Sequence, residues 1–328
     1  MKLIKKIIIL LLVISTLFSI ASCHKKAGND KDENDTTVND DTTVNDDTTV
    51  NDDTTVKDDT DNSSDNGSIT GLSKCTVTVK NSLGKVLSGV TVLLHHDNGT
   101  DYNVCASPAV TDEEGKVSFN LDPANKYSVA VMGYPGVYTA KSGSTPNERY
   151  GIGAEEMDVV LLPKANYAPT VYKVGDYMAD FTITDIDGNT YNLYDLLSQK
   201  RAVVLNFWFY GCPPCANEFP ALNASYNTHK DSVEVLAIDD HPYDTVDSVK
   251  GYEQYRGFTL DMPLFKTDYQ SALSISRFNT GGWPTTVIID RYGVISTIHV
   301  GAITSSSRWD AIFDYYISDN YDGTPFSG

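Results

Sequence analysis

The chain has 328 residues, 41% of them apolar and twenty of them tyrosine, enough for two packed domains beyond a targeting segment. Its formal net charge is -19, unevenly spread: residues 29–66 hold fourteen Asp/Glu against two Lys, and no Lys/Arg run follows the leader. An acidic chain of this kind has no footing for phosphate-backbone contacts, which excludes nucleic acid as an expected partner.

The first 23 residues read MKLIKKIIILLLVISTLFSIASC: three lysines, an apolar run, then small residues before Cys23. That order is an export signal, and the apolar run falls short of the roughly 20 residues of a bilayer span. Ile20-Ala21-Ser22-Cys23 also resembles a bacterial lipobox, which implies cleavage after residue 22 and lipid attachment at Cys23, outside the cytoplasm. The alternative is an uncleaved membrane anchor. With Cys23 lipidated, Cys75, Cys105, Cys212 and Cys215 remain, an even number in a compartment where thiols oxidise.

Residues 23–72 form the next segment. NDDTTV occurs at 39–44, 45–50 and 51–56, with worn copies on either side. One valine per repeat buries too little surface to offset the entropy of ordering, so a disordered acidic tether is expected. As a flexible coil its roughly 50 residues span about 40 Å.

Over residues 73–162, CTVTVKNSLGKVLSGVTVLLHH and TDEEGKVSFNLDPANKYSVAVMGYPG alternate apolar and polar residues, with turn residues every eight to twelve positions. This pattern predicts an antiparallel β-sandwich. The motifs resemble carboxypeptidase-regulatory or Cna-type B domains, which implies an all-β prealbumin-like sandwich. His95 and His96 are adjacent and face opposite sides of a strand, so they do not share a metal. A Cys75–Cys105 disulfide is possible here and would close a 30-residue loop, worth on the order of 3 kcal/mol.

Residues 163–174 contain two prolines and no clear period, and read as a linker. From 175 to 318 strands and helices alternate, and a tail follows over 319–328. DFTITDIDGNTYNL is a hairpin around Asp187-Gly188. AVVLNFWFY and VEVLAI are buried strands, a helix is predicted over 243–255, and a short one around SALSISRF. PTTVIIDRYGVISTIHVG is a strand, turn and strand. SSSRWDAIFDYYISD is a serine-capped helix with Trp309, Ile312, Phe313 and Tyr316 on one face. The pattern predicts a compact α/β domain with a mixed sheet flanked by helices.

The chemistry concentrates in LNFWFYGCPPCANEFP, residues 205–220. A strand delivers the chain to Gly211 and a helix starts at or near Cys212, where free N–H groups and the helix dipole favour a thiolate. Cys215 lies one turn further in and less exposed, which makes Cys212 the attacking thiol and Cys215 the resolving one. Pro213 and Pro214 suit the first turn, and Pro220 predicts a kink. Glu218, three residues beyond Cys215, would raise nearby thiol pKa values and relay a proton. In GGWPTT, residues 281–286, a cis bond at Trp283-Pro284 would present the Trp283 backbone to an extended substrate segment.

Together, NFWFYGCPPCANEFP, GGWPTTVIID and the element order resemble the thioredoxin superfamily over residues 175–318. The CxxCxxEFP form resembles its TlpA/ResA-like branch of membrane-associated thiol-disulfide oxidoreductases. The resemblance implies a thioredoxin-like fold, Cys212 as nucleophile, Cys215 as resolving thiol, Glu218 tuning both and Pro284 as the cis-proline. It also implies protein substrates with disulfides or thiols, a membrane thiol electron donor, and no cofactor beyond the Cys212–Cys215 pair. Two departures stand out: Gly211 where the branch usually has tryptophan, and Asn206 where cytoplasmic thioredoxins carry a buried acid.

Rival readings make different demands. A zinc site would need Asp239, Asp240 or His241 beside the cysteines. A purely structural disulfide explains the spacing but not Glu218 or Trp283-Pro284. A thiol peroxidase would need a threonine where Phe209 stands. A surface-displayed binding or adhesion lipoprotein would leave the redox domain accessory. The oxidoreductase reading requires that the Cys212 sulfur be reachable and that Trp283-Pro284 lie beside the pair.

Overall fold

A computed structural model describes residues 68–97, 102–104, 107–140, 149–167 and 169–327. The leader, Cys23, the acidic repeats and Cys105 lie outside the described residues. Among the described residues no helix is long and apolar enough to cross a membrane.

The N-terminal part is built of strands only. They are β1 (Lys74–Asn81), β2 (Thr91–Asp97), β3 (Tyr102–Val104), β4 (Ala109–Val110), β5 (Lys116–Asn120), β6 (Lys126–Met132), β7 (Tyr138–Ala140), β8 (Tyr150–Gly151) and β9 (Glu156–Pro163). One sheet has the order β5-β1-β9-β7; the other runs β3-β2-β6-β8, with β4 also on β2. Along β1 every second residue, Cys75, Val77, Val79 and Asn81, is buried, as a strand with one covered face requires. The pairing of β1 with β9 is parallel, a departure from the all-antiparallel expectation. These two strands are distant in sequence, so a crossover and not a hairpin joins them.

Cys75 is fully buried and its thiol is free, whereas Cys105, its possible partner, lies outside the described residues. The Cys75 side chain lies on the inward row of β1, opposite Phe119, and burial pushes the thiol up to about 11. A thiol with that pKa in apolar surroundings is inert.

The second part begins with the hairpin β10 (Thr182–Thr184) and β11 (Thr190–Asn192), then α1 (Leu193–Gln199). Asn192 caps α1 by accepting from Asp195 N–H at 3.0 Å. There follow β12 (Ala202–Trp208), α2 (Pro213–His229), β13 (Val233–Asp239), α3 (Val246–Lys250), α4 (Tyr252–Arg256) and β14 (Leu264–Lys266). A 3-10 turn (Ile275–Phe278), β15 (Thr285–Asp290), β16 (Ile295–Val300) and α5 (Ser306–Ile317) complete it. The helix predicted over 243–255 is therefore two short helices that meet at Gly251.

The sheet order is β14-β13-β12-β15-β16, with β12 parallel to β13 and antiparallel to β15. Strand alternation divides β12 between two cores. Val203, Leu205 and Phe207 face a cluster continuous with the N-terminal sheets, and Ala202, Val204 and Trp208 face α2 and α5. By the same alternation Asn206 lies on the α2 side.

The linker and tail are each anchored by a buried tyrosine, while most of their other described residues are exposed. Tyr172 is buried, its N–H donates to Arg277 O at 2.6 Å, and its ring stacks on Phe278. Tyr321 is buried in the tail, and its hydroxyl donates to Asp290 Oδ2 at 2.8 Å. The two parts also meet directly: Asn81 Nδ2 donates to Tyr292 O at 2.9 Å, and Tyr194 Oη donates at 3.2 Å to Tyr138 Oη, which also accepts from Asn81 Nδ2 at 2.9 Å within the N-terminal part.

Candidate active site

β12 ends at Trp208, and the Cys212 N–H donates to Phe209 O at 3.1 Å, which closes a tight turn. Cys212 leaves that turn in an extended conformation (φ -78, ψ 106) and is the N-cap of α2. Its Sγ accepts from the Cys215 N–H at 3.2 Å, occupying one of the four N–H groups that a helix start leaves free. Pro213 and Pro214 fill the first two helical positions, where no N–H partner is lost. Cys212 and Cys215 are joined in a disulfide, with Cα atoms 5.3 Å apart.

The expected reachability of Cys212 is not met in this disulfide form. Cys212 is 1% exposed and Cys215 fully buried. The Cys212 sulfur turns inward to the first turn of α2, and both cysteines belong to the apolar cluster against which Phe209, Tyr210 and Trp283 pack. Their chain neighbours Gly211, Pro213 and Pro214 are all exposed.

Glu218, one turn beyond Cys215, has no exposed surface. Its Oε1 accepts from Ile303 N–H at 2.8 Å and its Oε2 from Asn206 Nδ2 at 3.0 Å. Burial pushes its carboxyl up to about 7, against the pull of those two donors. Asn206 also donates to Thr286 Oγ1 at 3.2 Å, while its own Oδ1 is buried without a partner. Neither Asn206 nor Ile303 was identified as a partner of Glu218 in the sequence. For Asn206 the signal was its single polar position in an apolar strand; for Ile303 there is none, because the contact is made by backbone.

The Trp283-Pro284 peptide is cis, as expected. Pro284 is buried and its carbonyl accepts from Gly301 N–H at 2.9 Å. The Trp283 ring packs edge-on against Phe209 at 5.2 Å and against His241 at 5.6 Å, so the proline loop does flank the cysteine cluster.

The loop after β13 reaches the same edge of the sheet. Asp239 and Asp240 are fully buried. Asp240 accepts from Trp283 Nε1 and from Ile275 N–H, both at 2.7 Å. Burial and the neighbouring charge of Asp244 push Asp239 up to about 8. Among the described residues no group of three or more His, Cys, Asp or Glu assembles to hold a metal ion.

Residues 174–298 match the family model described as the AhpC/TSA family. Thiol-disulfide oxidoreductase ResA of Geobacillus kaustophilus is 32% identical over 136 residues, covering 41% of this chain and 74% of that protein. Thioredoxin-like protein YneN of Bacillus subtilis is 31% identical over 132 residues, covering 40% and 73%. A solved thioredoxin-family thiol:disulfide interchange protein from Chlorobium tepidum is 23% identical, with 45% of this chain and all 100% of that one covered, at a TM-score of 0.36. The N-terminal sheets lie outside the region matched by the family model. Through its second part, which carries the disulfide and the cis-proline loop, the chain belongs to the ResA-like thiol-disulfide oxidoreductases with an AhpC/TSA thioredoxin-like domain.

Proposed function

We propose that the protein is an exported, lipid-anchored protein disulfide reductase acting through Cys212 and Cys215. The observation that carries this reading is the pairing of an N-cap cysteine in a disulfide with a buried carboxyl, one helical turn beyond its partner, held near 7. In the reduced enzyme the Cys212 thiolate attacks one sulfur of a substrate disulfide. That S–S bond breaks, the released substrate sulfur takes a proton, and a mixed disulfide to Cys212 forms. Cys215 then loses its proton and attacks Cys212 Sγ, which frees the second substrate thiol and leaves the Cys212–Cys215 disulfide.

Glu218 serves the second step. A carboxyl near 7 is about half ionised at neutral pH, so it can accept the Cys215 proton and return it when the disulfide is reduced again. Trp283 and Pro284 line the approach of the substrate segment. Reduction of the resting disulfide requires two electrons from a thiol carrier in the membrane, since the exterior supplies none.

Cys23 would carry the lipid, residues 23–72 would form an acidic tether, and the N-terminal sheets would be a prealbumin-like sandwich between tether and enzyme. The inward rows of both sheets share one core, which supports that last assignment. Insulin reduction, with dithiothreitol as electron source, tests the enzymatic reading on the ectodomain. We expect turnover by the wild type and its loss in Cys212→Ser. Equal turnover in both would favour a binding lipoprotein with an accessory redox domain.

A further inference from the structure

The turn that carries Cys212 follows β12 and the wall formed by Trp283 precedes its neighbour β15, yet one loop, after β13, holds both. Asp244 Oδ2 accepts from the Tyr210 N–H at 2.9 Å, two residues before Cys212. The carbonyl of the same Tyr210 accepts from Arg256 Nη2 at 3.3 Å, so the residue is gripped at both ends of its backbone. Four residues before Asp244, Asp240 holds the Trp283 indole N–H at 2.7 Å. The second Asp240 oxygen is taken by Ile275 N–H, so the carboxylate has no freedom to swing away. Between the two acids, the His241 ring stacks on Phe209 at 4.9 Å and meets Trp283 at 5.6 Å. Lys266 Nζ fixes the loop backbone by donating to His241 O at 3.0 Å.

We propose that Asp240 and Asp244 are positioning residues of the dithiol site: Asp244 sets the turn that aims Cys212, and Asp240 sets the Trp283 wall that receives the substrate. The inference rests on the assignment of Cys212 as nucleophile. Its physical content is geometric: each acid offers an oxygen that accepts an N–H from a different wall of the site. Two such bonds from one six-residue loop fix two walls relative to one another. A dithiol exchange needs three sulfurs in line, and a displacement of about 1 Å costs up to about 10²-fold in rate.

The test is steady-state insulin reduction by wild type, Asp244→Ala, Asp244→Asn, Asp240→Ala, Trp283→Phe and the Asp240→Ala/Trp283→Phe double variant. Asp244→Ala should lower kcat by up to about 10²-fold, since the turn loses its anchor. Asp244→Asn keeps an acceptor oxygen and should restore most of that loss. Asp240→Ala should act mainly on KM, and its effect should shrink in the Trp283→Phe background, where the indole N–H is already gone and only the Ile275 bond remains to be lost. Wild-type kinetics in Asp244→Ala, or fully additive effects of Asp240→Ala and Trp283→Phe, would overturn the proposal. Cys212→Ser run alongside separates the two levels: its retention of activity would overturn the dithiol assignment itself, whereas its inactivity beside an unaffected Asp244→Ala overturns only the clamp.

Discussion

Glu218 stays folded inside an apolar layer because two donors face it, yet those donors do not offset its loss of water. The consequence for stability has a definite sign. A carboxyl at about 7 in the folded chain, against 4.5 for its ordinary value, stays protonated in the native state while the unfolded chain loses its proton. Stability attributable to Glu218 is therefore undiminished below pH 4.5 and falls as pH rises to 7, by on the order of 3 kcal/mol in all. Glu218→Gln removes that dependence. Its melting temperature relative to wild type should climb between pH 5 and pH 8, and a difference constant with pH would contradict the buried-carboxyl account. The amide is accommodated by a half-turn of Asn206, whose partnerless Oδ1 then accepts from the new N–H group. In the reduced enzyme the same substitution removes a negative charge beside the thiols. The alkylation profile of Cys212 or Cys215 should move to lower pH, and an unmoved profile would argue against electrostatic tuning by Glu218.

At the scale of elements, α2 is the piece that would turn the cysteine pair into the proposed redox site. Serine is a strong N-cap, so Cys212→Ser should keep the helix start and the fold while ending thiol exchange. Circular dichroism and melting should read within about 0.5 kcal/mol of the reduced wild type. A collapsed fold would mean that the disulfide is structural. Much of this element was legible in the sequence. The apolar run before Gly211, the prolines at the first two helical positions, and Phe219, Leu222 and Tyr226 on the buried face all follow from local pattern. The same holds for Trp309, Ile312, Phe313 and Tyr316 of α5. Less local features were not legible. α1 is only seven residues long, too short for its period to stand out, and is fixed by its Asn192 cap and its packing. The break at Gly251 was hidden because the flanking residues continue a helical pattern. The burial of Cys75 was not legible, since parity and spacing do not show which way a strand side chain points. Asp240 and Asp244 sat in a loop read only as polar, since their partners are a distant indole and a backbone N–H.

Across the whole molecule, the N-terminal sheets dock at the far end of the redox sheet. Asp290 pairs with Ala202 at the start of β12, whereas Thr285 pairs with Phe207 near its end, next to the dithiol. Five strand residues separate the two ends, roughly 17 Å at the usual rise. The Asn81 contact falls at the Tyr292 end, beyond Asp290. Gly293 in the same turn has φ +79, and a Cβ there would come within 3.2 Å of Leu83 and of Tyr194 Oη. The N-terminal part therefore supports the enzyme from behind, and none of its described residues contacts the dithiol. Asn81→Ala removes one donor bond across the junction, to Tyr292 O, and one within the N-terminal part, to Tyr138 Oη, and should cost about 2–3 kcal/mol. Calorimetry should show one transition in the wild type and a separated N-terminal transition in the variant, with insulin reduction unchanged at 25 °C. A single unshifted transition in Asn81→Ala would mean that the two parts are held together elsewhere. The disulfide-form burial of Cys212 bears on the same scale, since exchange must expose a sulfur that the resting molecule covers.

The most direct measurement is to trap the intermediate. Reduced Cys215→Ser is mixed with a disulfide-bearing protein and the adduct is mapped by mass spectrometry after digestion. The account predicts a stable mixed disulfide on Cys212, absent from Cys212→Ser. An adduct on any other cysteine, or none at all while the wild type still turns over, would contradict it.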